Sequence, residues 1–456
     1  MELLISGARI LSMDDALGDL DDADIHIRDD VIHAIGPSLI APGAQVIDAR
    51  GMIAMPGLVN AHIHTWQTAL RGIGVDWTGA DYHRNVHSRI ATGYTAEDNR
   101  VATQLAALAQ ISGGTTTLFD WCHNLTAPDM TDASIDALQS SGIRAVFGHG
   151  TAKPPPGQDA RPYWEIPQPA DEVRRLRKGR LSSDSAAVTL ALCILGPDWG
   201  EYDVAVHDIR LARELGLLTS AHTWGRAGSR RCPDGMRRLA EAGLLGPDHN
   251  LSHGNNLDDD ELKLIVDAGC TVTATPLTEM LNADRPAVMG RVEALGQTAS
   301  IGSDLAPHFS GSMLAVARYA FQHQRELDNR QLAFERHWPA AGHATTARRA
   351  LRWATLGGAR ALRLEDRIGS LTPGKQADVV LVRTDAPHFF PAGQAEPANA
   401  VLMYAEHADI DTVLVAGRIL KRHGRLMLPD DTLRRLQAAL LTSRERLLPH
   451  GLQPAP

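Results

Sequence analysis

The chain has 456 residues, 44% of them hydrophobic and 22% charged, with a formal net charge of −9. Such a length buries a large core without disulfides and fits about three domains of ~150 residues, or one barrel of ~250 or more with an accessory unit. The acidic residues are scattered rather than blocked, which argues against nucleic acid and anionic membrane surfaces as main partners. Cys122, Cys193, Cys232 and Cys270 are widely spaced without a C-x-x-C pair, so neither a thiolate zinc site nor a disulfide framework is expected. The opening MELLISGARI lacks the basic region of a signal peptide, and no apolar run approaches the ~18 residues of a spanning helix. A soluble, cytoplasmic protein is the expectation.

In chain order, the first segment reads as short strands. LLISGARIL, ADIHIRDD and VIHAIG alternate or run apolar between Gly and Asp breaks, the pattern of half-buried sheet. The texture returns late, in GSLTPGKQADVVLVR and DTVLVAGRILKRHGR. Residues 1–56 and 366–430 are therefore expected to pair into one composite β-sandwich domain. Between them, residues 57–365 alternate apolar strands with Ala/Leu/Arg-rich stretches of helical spacing. The strands are LVNAHIH, TTTLFDW, IRAVFGHG, AVTLALCILG, LLTSAHTW, HNLSHG, CTVTATP and TASIGSD. Eight strand–helix units predict an α/β fold, a (β/α)8 TIM-like barrel with its chemistry at the C-terminal strand ends. Residues 431–456 read as a C-terminal helical tail, an exposed amphipathic helix with a Pro-containing end.

Several polar residues fall where the barrel strands should end. His62 and His64 close the first, two apart and so on one face. His222 ends the fifth, His253 the sixth and Asp304 the eighth. A lone histidine is usually a hydrogen-bonded structural residue, but imidazoles and a carboxylate converging on consecutive strand ends suit a divalent metal with a position open to water.

Taken with these residues, PGLVNAHIHTWQTALRG, SGGTTTLFDW, IGSD and GSLTPGKQADVVLV resemble the amidohydrolase superfamily. The branch they resemble holds the triazine hydrolases and the cytosine, guanine and adenosine-type deaminases. The resemblance implies a barrel flanked by a composite β-sandwich, with His62, His64, His222 and Asp304 binding one metal and His253 beside the metal-bound water. Binuclear members bridge two metals through a carboxylated lysine at strand four; here that segment, ALCILGPDW, has no lysine, so one ion is expected, zinc before iron. The activity implied is hydrolysis of a carbon–nitrogen bond, foremost deamination of an amino-substituted nitrogen heterocycle by metal-bound hydroxide. In it Asp304 serves as ligand and base, and His253 orients the nucleophile and stabilises the oxyanion. A homo-oligomer acting on a small heterocyclic molecule completes the expectation.

One residue departs from the family pattern. Such deaminases carry a glutamate three residues after the strand-five histidine to protonate the substrate ring, whereas here His222-Thr223-Trp224-Gly225 places a glycine there. Glu279, after strand seven, is the first candidate to replace it and Asp198, after strand four, the second. A helix N-terminal charge and a turn residue are the respective plain alternatives. Trp66, Gln67, Trp121, His123, Trp224 and His308 are expected to meet substrate. His83 and His87 lie four apart and suggest a pocket lid or a surface. The missing glutamate strengthens a second activity on the same site, hydrolysis of a cyclic amide, an alkylamino group or a ring halide. A non-catalytic metal-binding scaffold is the third.

Overall fold

The computed structural model describes residues 2–155, 160–283, 285–335 and 341–448. Its first strands are β1 (Glu2–Ile10), β2 (Leu20–Arg28), β3 (Val31–Gly36), β4 (Gln45–Asp48) and β5 (Met52–Pro56). The barrel strands follow: β6 (Leu58–Ile63), β7 (Thr115–Cys122), β8 (Arg144–Gly150), β9 (Val188–Ile194), β10 (Leu218–Thr223), β11 (His249–His253), β12 (Thr271–Ala274) and β13 (Ser300–Ile301). The last are β14 (Val379–Arg383), β15 (Ile410–Val415), β16 (Arg418–Arg422) and β17 (Arg425–Leu426). The final residues of the expected tail, 449–456, lie outside the described ones.

The two chain ends interleave. β14 pairs antiparallel with β5, which joins strands from both ends in one nine-stranded sheet. It encloses its own apolar cluster, with Leu3, Ile5, Ile25, Ile27, Val379, Leu381 and Leu414 fully buried. The eight central strands form a parallel sheet in sequential order from β6 to β13. Their residues are almost all buried, as a sheet covered on both faces requires. Helices such as Ala96–Ser112, Pro128–Ser141 and Tyr202–Glu214 supply the outer layer. The predicted barrel and accessory β domain are thus both present.

Two glycines set the seam where the barrel closes. A Cβ on Gly57 would lie 2.0 Å from the Thr116 hydroxyl, so only glycine lets the chain enter β6 beside β7. A Cβ on Gly302 would sit 2.6 Å from His62, and its absence lets the segment after β13 press against β6. There the Asp304 N–H donates to the His62 carbonyl at 3.0 Å, and Ile63 bridges Asp304. The same seam that shuts the barrel therefore brings a carboxylate to a histidine.

The accessory domain is keyed to the barrel by a buried ion pair, Arg144 to Asp378 at 3.0 Å. The C-terminal helix (Thr432–Leu447) is exposed along most of its surface and docks through one narrow face. Leu436 and Leu447 are buried, Arg444 donates to the carbonyls of Ala69 and Arg71, and Arg446 pairs with Asp98. Its apolar stripe is narrow, as in an amphipathic helix that covers the surface. Among the described residues no helix is long and apolar enough to cross a membrane.

Candidate metal and catalytic centre

Five side chains from four strand ends meet at the mouth of the barrel. His62 and His64 project from the end of β6, His222 from β10, His253 closes β11, and Asp304 follows β13. The Asp304 carboxylate lies 3.3 Å from His62 Nε2 and 3.2 Å from His64 Nε2. Ligand atoms of His62, His64 and His222 fall within 4.8 Å of one another, as do those of His62, His253 and Asp304.

The outer ring nitrogens decide what faces the centre. His64 Nδ1 is 2.6 Å from the Trp121 carbonyl, which can only accept, so His64 holds its proton there and turns a bare Nε2 inward. His62 Nδ1 is hydrogen-bonded to Ser252 Oγ at 2.9 Å. Burial pushes His62 down to about 4 and His222 well below its usual range, so both are neutral near pH 7, the form that binds metal. Bare imidazoles and a carboxylate so placed repel unless a cation lies between them. Consistent with that, His62 Nε2 and Asp304 Oδ1 are buried and make no hydrogen bond. The donor set therefore fits a divalent ion.

Two residues with left-handed backbone lie at the same place. His253 and Asp304 have φ of +75° and +57°, a region that costs a side-chain-bearing residue on the order of 1 kcal/mol. Above the centre opens a cavity of about 540 Å³. His64, His123, His222, His253 and Asp304 border it, together with Tyr82, His83, His87, Lys153, Trp199 and Trp224.

Residues 53–420 match the amidohydrolase family. The chain belongs to that family. A 5'-deoxyadenosine deaminase of Methanosarcina mazei is 26% identical over 94% of this chain and 95% of its own. A 5-methylthioadenosine/S-adenosylhomocysteine deaminase of Desulforudis audaxviator is 29% identical over 94% and 96%. An adenosine deaminase of Xanthomonas campestris with bound zinc shares the fold at TM-score 0.81 and 24% identity, over 98% of each chain. A variant of the Arthrobacter aurescens atrazine chlorohydrolase TrzN, complexed with zinc and atraton, superposes at TM-score 0.82 and 25% identity over 97% and 100%.

Within this amidohydrolase the expected substrate contacts divide. His123 and Trp224 border the cavity, His123 stacked on His64 with centroids 4.2 Å apart and Trp224 edge-on to His253 at 4.8 Å. Trp66 and Gln67 do not. Both lie in a fully buried turn (Thr65–Leu70), where Trp66 Nε1 donates to His123 Nδ1 and Gln67 Nε2 to the Tyr82 hydroxyl. They steady two wall residues from behind, because the chain leaving β6 folds under the cavity rather than over it. Trp121 is also buried: it points into the barrel, donates to Ser220 Oγ and packs on His222 at 4.0 Å. His308 sits behind Tyr82, edge-on at 5.7 Å, and borders a neighbouring cavity with Arg71 and Phe309.

The two acids proposed to replace the missing glutamate are corrected likewise. The Asp198 carboxylate accepts from the backbone N–H groups of Trp224 and Gly225 at 2.8 and 2.6 Å and lies 3.3 Å from Arg230. It fastens the loop after β10 and is not on the cavity wall. Burial raises its carboxyl to about 6. Glu279 lies on the helix Pro276–Asn282, with Oε1 accepting from Thr275 N–H at 2.8 Å and 3.6 Å from His253 Nδ1. The cavity wall there is Thr278, so Glu279 reaches His253 and not a substrate ring. Its position supports positive charge on His253 from behind, as a carboxylate does for a catalytic imidazole. Glu279→Gln is expected to lower kcat by ~10-fold or more while metal content and KM stay close to wild type, measured by steady-state kinetics and elemental analysis.

His83 and His87, four residues apart, both reach the wall from a stretch of π-helix (His83–Ile90) and stack at 5.3 Å. Lys153, Trp199 and Tyr82 were missed. Lys153 follows β8 by three residues and Trp199 follows β9, so position after a barrel strand was the available signal.

Proposed function

We propose that this amidohydrolase removes an amino group from a nitrogen heterocycle by hydrolysis, with one zinc ion held by His62, His64, His222 and Asp304. The observation that carries the reading is the convergence of bare imidazoles and Asp304 under a cavity walled by aromatic rings. The similarity to two adenosine-type deaminases supports an amino substituent as leaving group. A divalent metal bound there supplies the Lewis acidity that makes water a nucleophile near neutral pH. Asp304 accepts one proton of the attacking water and returns it to the departing nitrogen, which leaves as ammonia, and the hydroxyl left on the ring carbon becomes the carbonyl as its proton passes to the ring nitrogen. His253, hydrogen-bonded through Nδ1 to Thr275 Oγ1 at 2.8 Å and backed by Glu279, turns Nε2 to the developing oxyanion. Trp224 offers its face to a flat ring.

A specific observation favours a second reading. With glycine at 225 no side chain there protonates a ring nitrogen, and a Cβ would meet Arg230, Ser229 and Asp198 at 3.1 to 3.3 Å. A leaving group that departs without ring protonation, such as a halide on a triazine, suits this site, and the fold shared with the atrazine chlorohydrolase agrees. The deciding experiment is ammonia release by the zinc-loaded enzyme over adenine nucleosides, guanine, cytosine, a pterin and aminotriazines. Ammonia from at least one is expected; none, with chloride or alkylamine released from substituted triazines, would transfer the proposal to the second reading.

The same proposal divides the chain into residues 1–56 with 366–430, 57–365 and 431–456, supported by the separate apolar clusters of the two sheets. It places the enzyme in the cytoplasm, in keeping with four free, buried cysteines. The homo-oligomer that the resemblance implies is tested by sedimentation.

A further inference from the structure

Lys153 is a buried cation with no anion beside it among the described residues. It is 8% exposed, and burial, opposed by no neighbouring acid, lowers its ammonium to about 8. Among the described residues it has neither a carboxylate partner nor a hydrogen-bond acceptor; its ammonium sits over the face of Trp199, 4.5 Å from the ring centroid. Taking an ammonium out of water is costly unless it is paired, so an unpaired one kept inside a cavity calls for a charge that arrives with a ligand.

The surroundings say what kind of ligand. Of the described residues bordering the cavity, Lys153 is the only lysine or arginine and Asp304 the only acid. His83 packs 5.2 Å from the same Trp199 ring. Burial lowers His83 to about 4 and His87 well below the usual range, so both are neutral hydrogen-bonding groups near pH 7. One fixed positive charge beside an aromatic face and a neutral imidazole matches a single negative charge on a flat molecule.

We propose that Lys153 anchors a carboxylate carried by the substrate, so that the substrate class is a nitrogen heterocycle bearing a carboxyl group. The ammonium of Lys153 binds the carboxylate, Trp199 and His83 border it, and the ring extends toward His253 and the metal ligands. This assignment rests on the proposed function for the ring's orientation, but the anion contact is measurable without turnover.

The experiment is calorimetric titration of the full-length, zinc-loaded enzyme with nicotinate and with nicotinamide, rings of the same shape that differ in charge. Wild type is expected to bind nicotinate at least ~10-fold more tightly, the scale of one charge-assisted contact. Lys153→Met should bring the ratio of the two affinities close to one, and Lys153→Arg should keep nicotinate favoured. Equal affinities in wild type, or no nicotinate binding, overturn the proposal. So does a nicotinate preference that survives in Lys153→Met, since the metal would then be holding the carboxylate. Inorganic phosphate competing with nicotinate as well as benzoate does would also overturn the choice of carboxylate. If Lys153→Met does not fold, Lys153→Gln serves as the charge-free variant with the same expected ratio. Nicotinate preference with no ammonia from any aminoheterocycle defeats the proposed reaction and leaves the anchor standing; ammonia release without the preference defeats the anchor alone.

Discussion

His64→Ala is expected to leave the purified enzyme with little bound metal and no measurable turnover. His64 is fixed from both sides, Nδ1 on the Trp121 carbonyl at 2.6 Å and the ring stacked on His123 at 4.2 Å. Its Nε2 is therefore preorganised at 3.2 Å from the Asp304 carboxylate. Loss of a mere outer-sphere partner typically costs ~10–100-fold in metal affinity or activity, so loss of a direct ligand should exceed ~10²-fold. Elemental analysis should find about one equivalent of zinc in wild type, as a site of this ligand count holds, and a small fraction of that in the variant. A variant with full metal content would remove His64 from the ligand set, and two equivalents in wild type would end the mononuclear assignment. Circular dichroism and a melting curve separate metal loss from unfolding.

The second large effect belongs to His253. His253→Ala is expected to lower kcat by ~10²- to 10⁴-fold, the range for a positioned acid–base or oxyanion group, with the metal retained. Its φ of +75° places the imidazole at the end of β11 in left-handed backbone, beside the metal-ligand set. Retained zinc distinguishes this role from ligation, because His253 also lies within ligand reach of His62 and Asp304. Glu279 supplies a second check. If it acts through His253, Glu279→Gln added to His253→Ala should cost almost nothing further, whereas independent roles would multiply. A kcat near wild type in His253→Ala would overturn the assignment outright.

Much of the site was legible because barrel chemistry follows a positional rule. Once the strands were recognised by their apolar runs, the residues at their C-terminal ends were candidates, and His62, His64, His222, His253 and Asp304 do meet in space. His123 and Trp224 were found by the same rule. The rule fails three and four residues past β6, where the chain turns. Trp66 and Gln67 follow β6, yet the turn they form is buried; Trp121, still within β7, points into the barrel. Which way a loop residue faces is set by what packs against it, and no local pattern records that.

The sequence by itself determined the barrel, the accessory β domain built from both chain ends, and the histidine–aspartate set, because each follows from periodicity and from residue type at strand ends. Tertiary structure alone decided the rest. It set Glu279 behind His253, made Asp198 a fastener of the loop after β10, docked one face of the last helix, and left one of only five lysines, Lys153, facing the cavity with no ionic partner among the described residues. The physical reason is that a charge takes its role from the partners that burial allows it, and those partners lie 22 to 57 residues away in the cases here: Thr275 from His253 by 22, Trp224 from Asp198 by 26, Trp121 from His64 by 57.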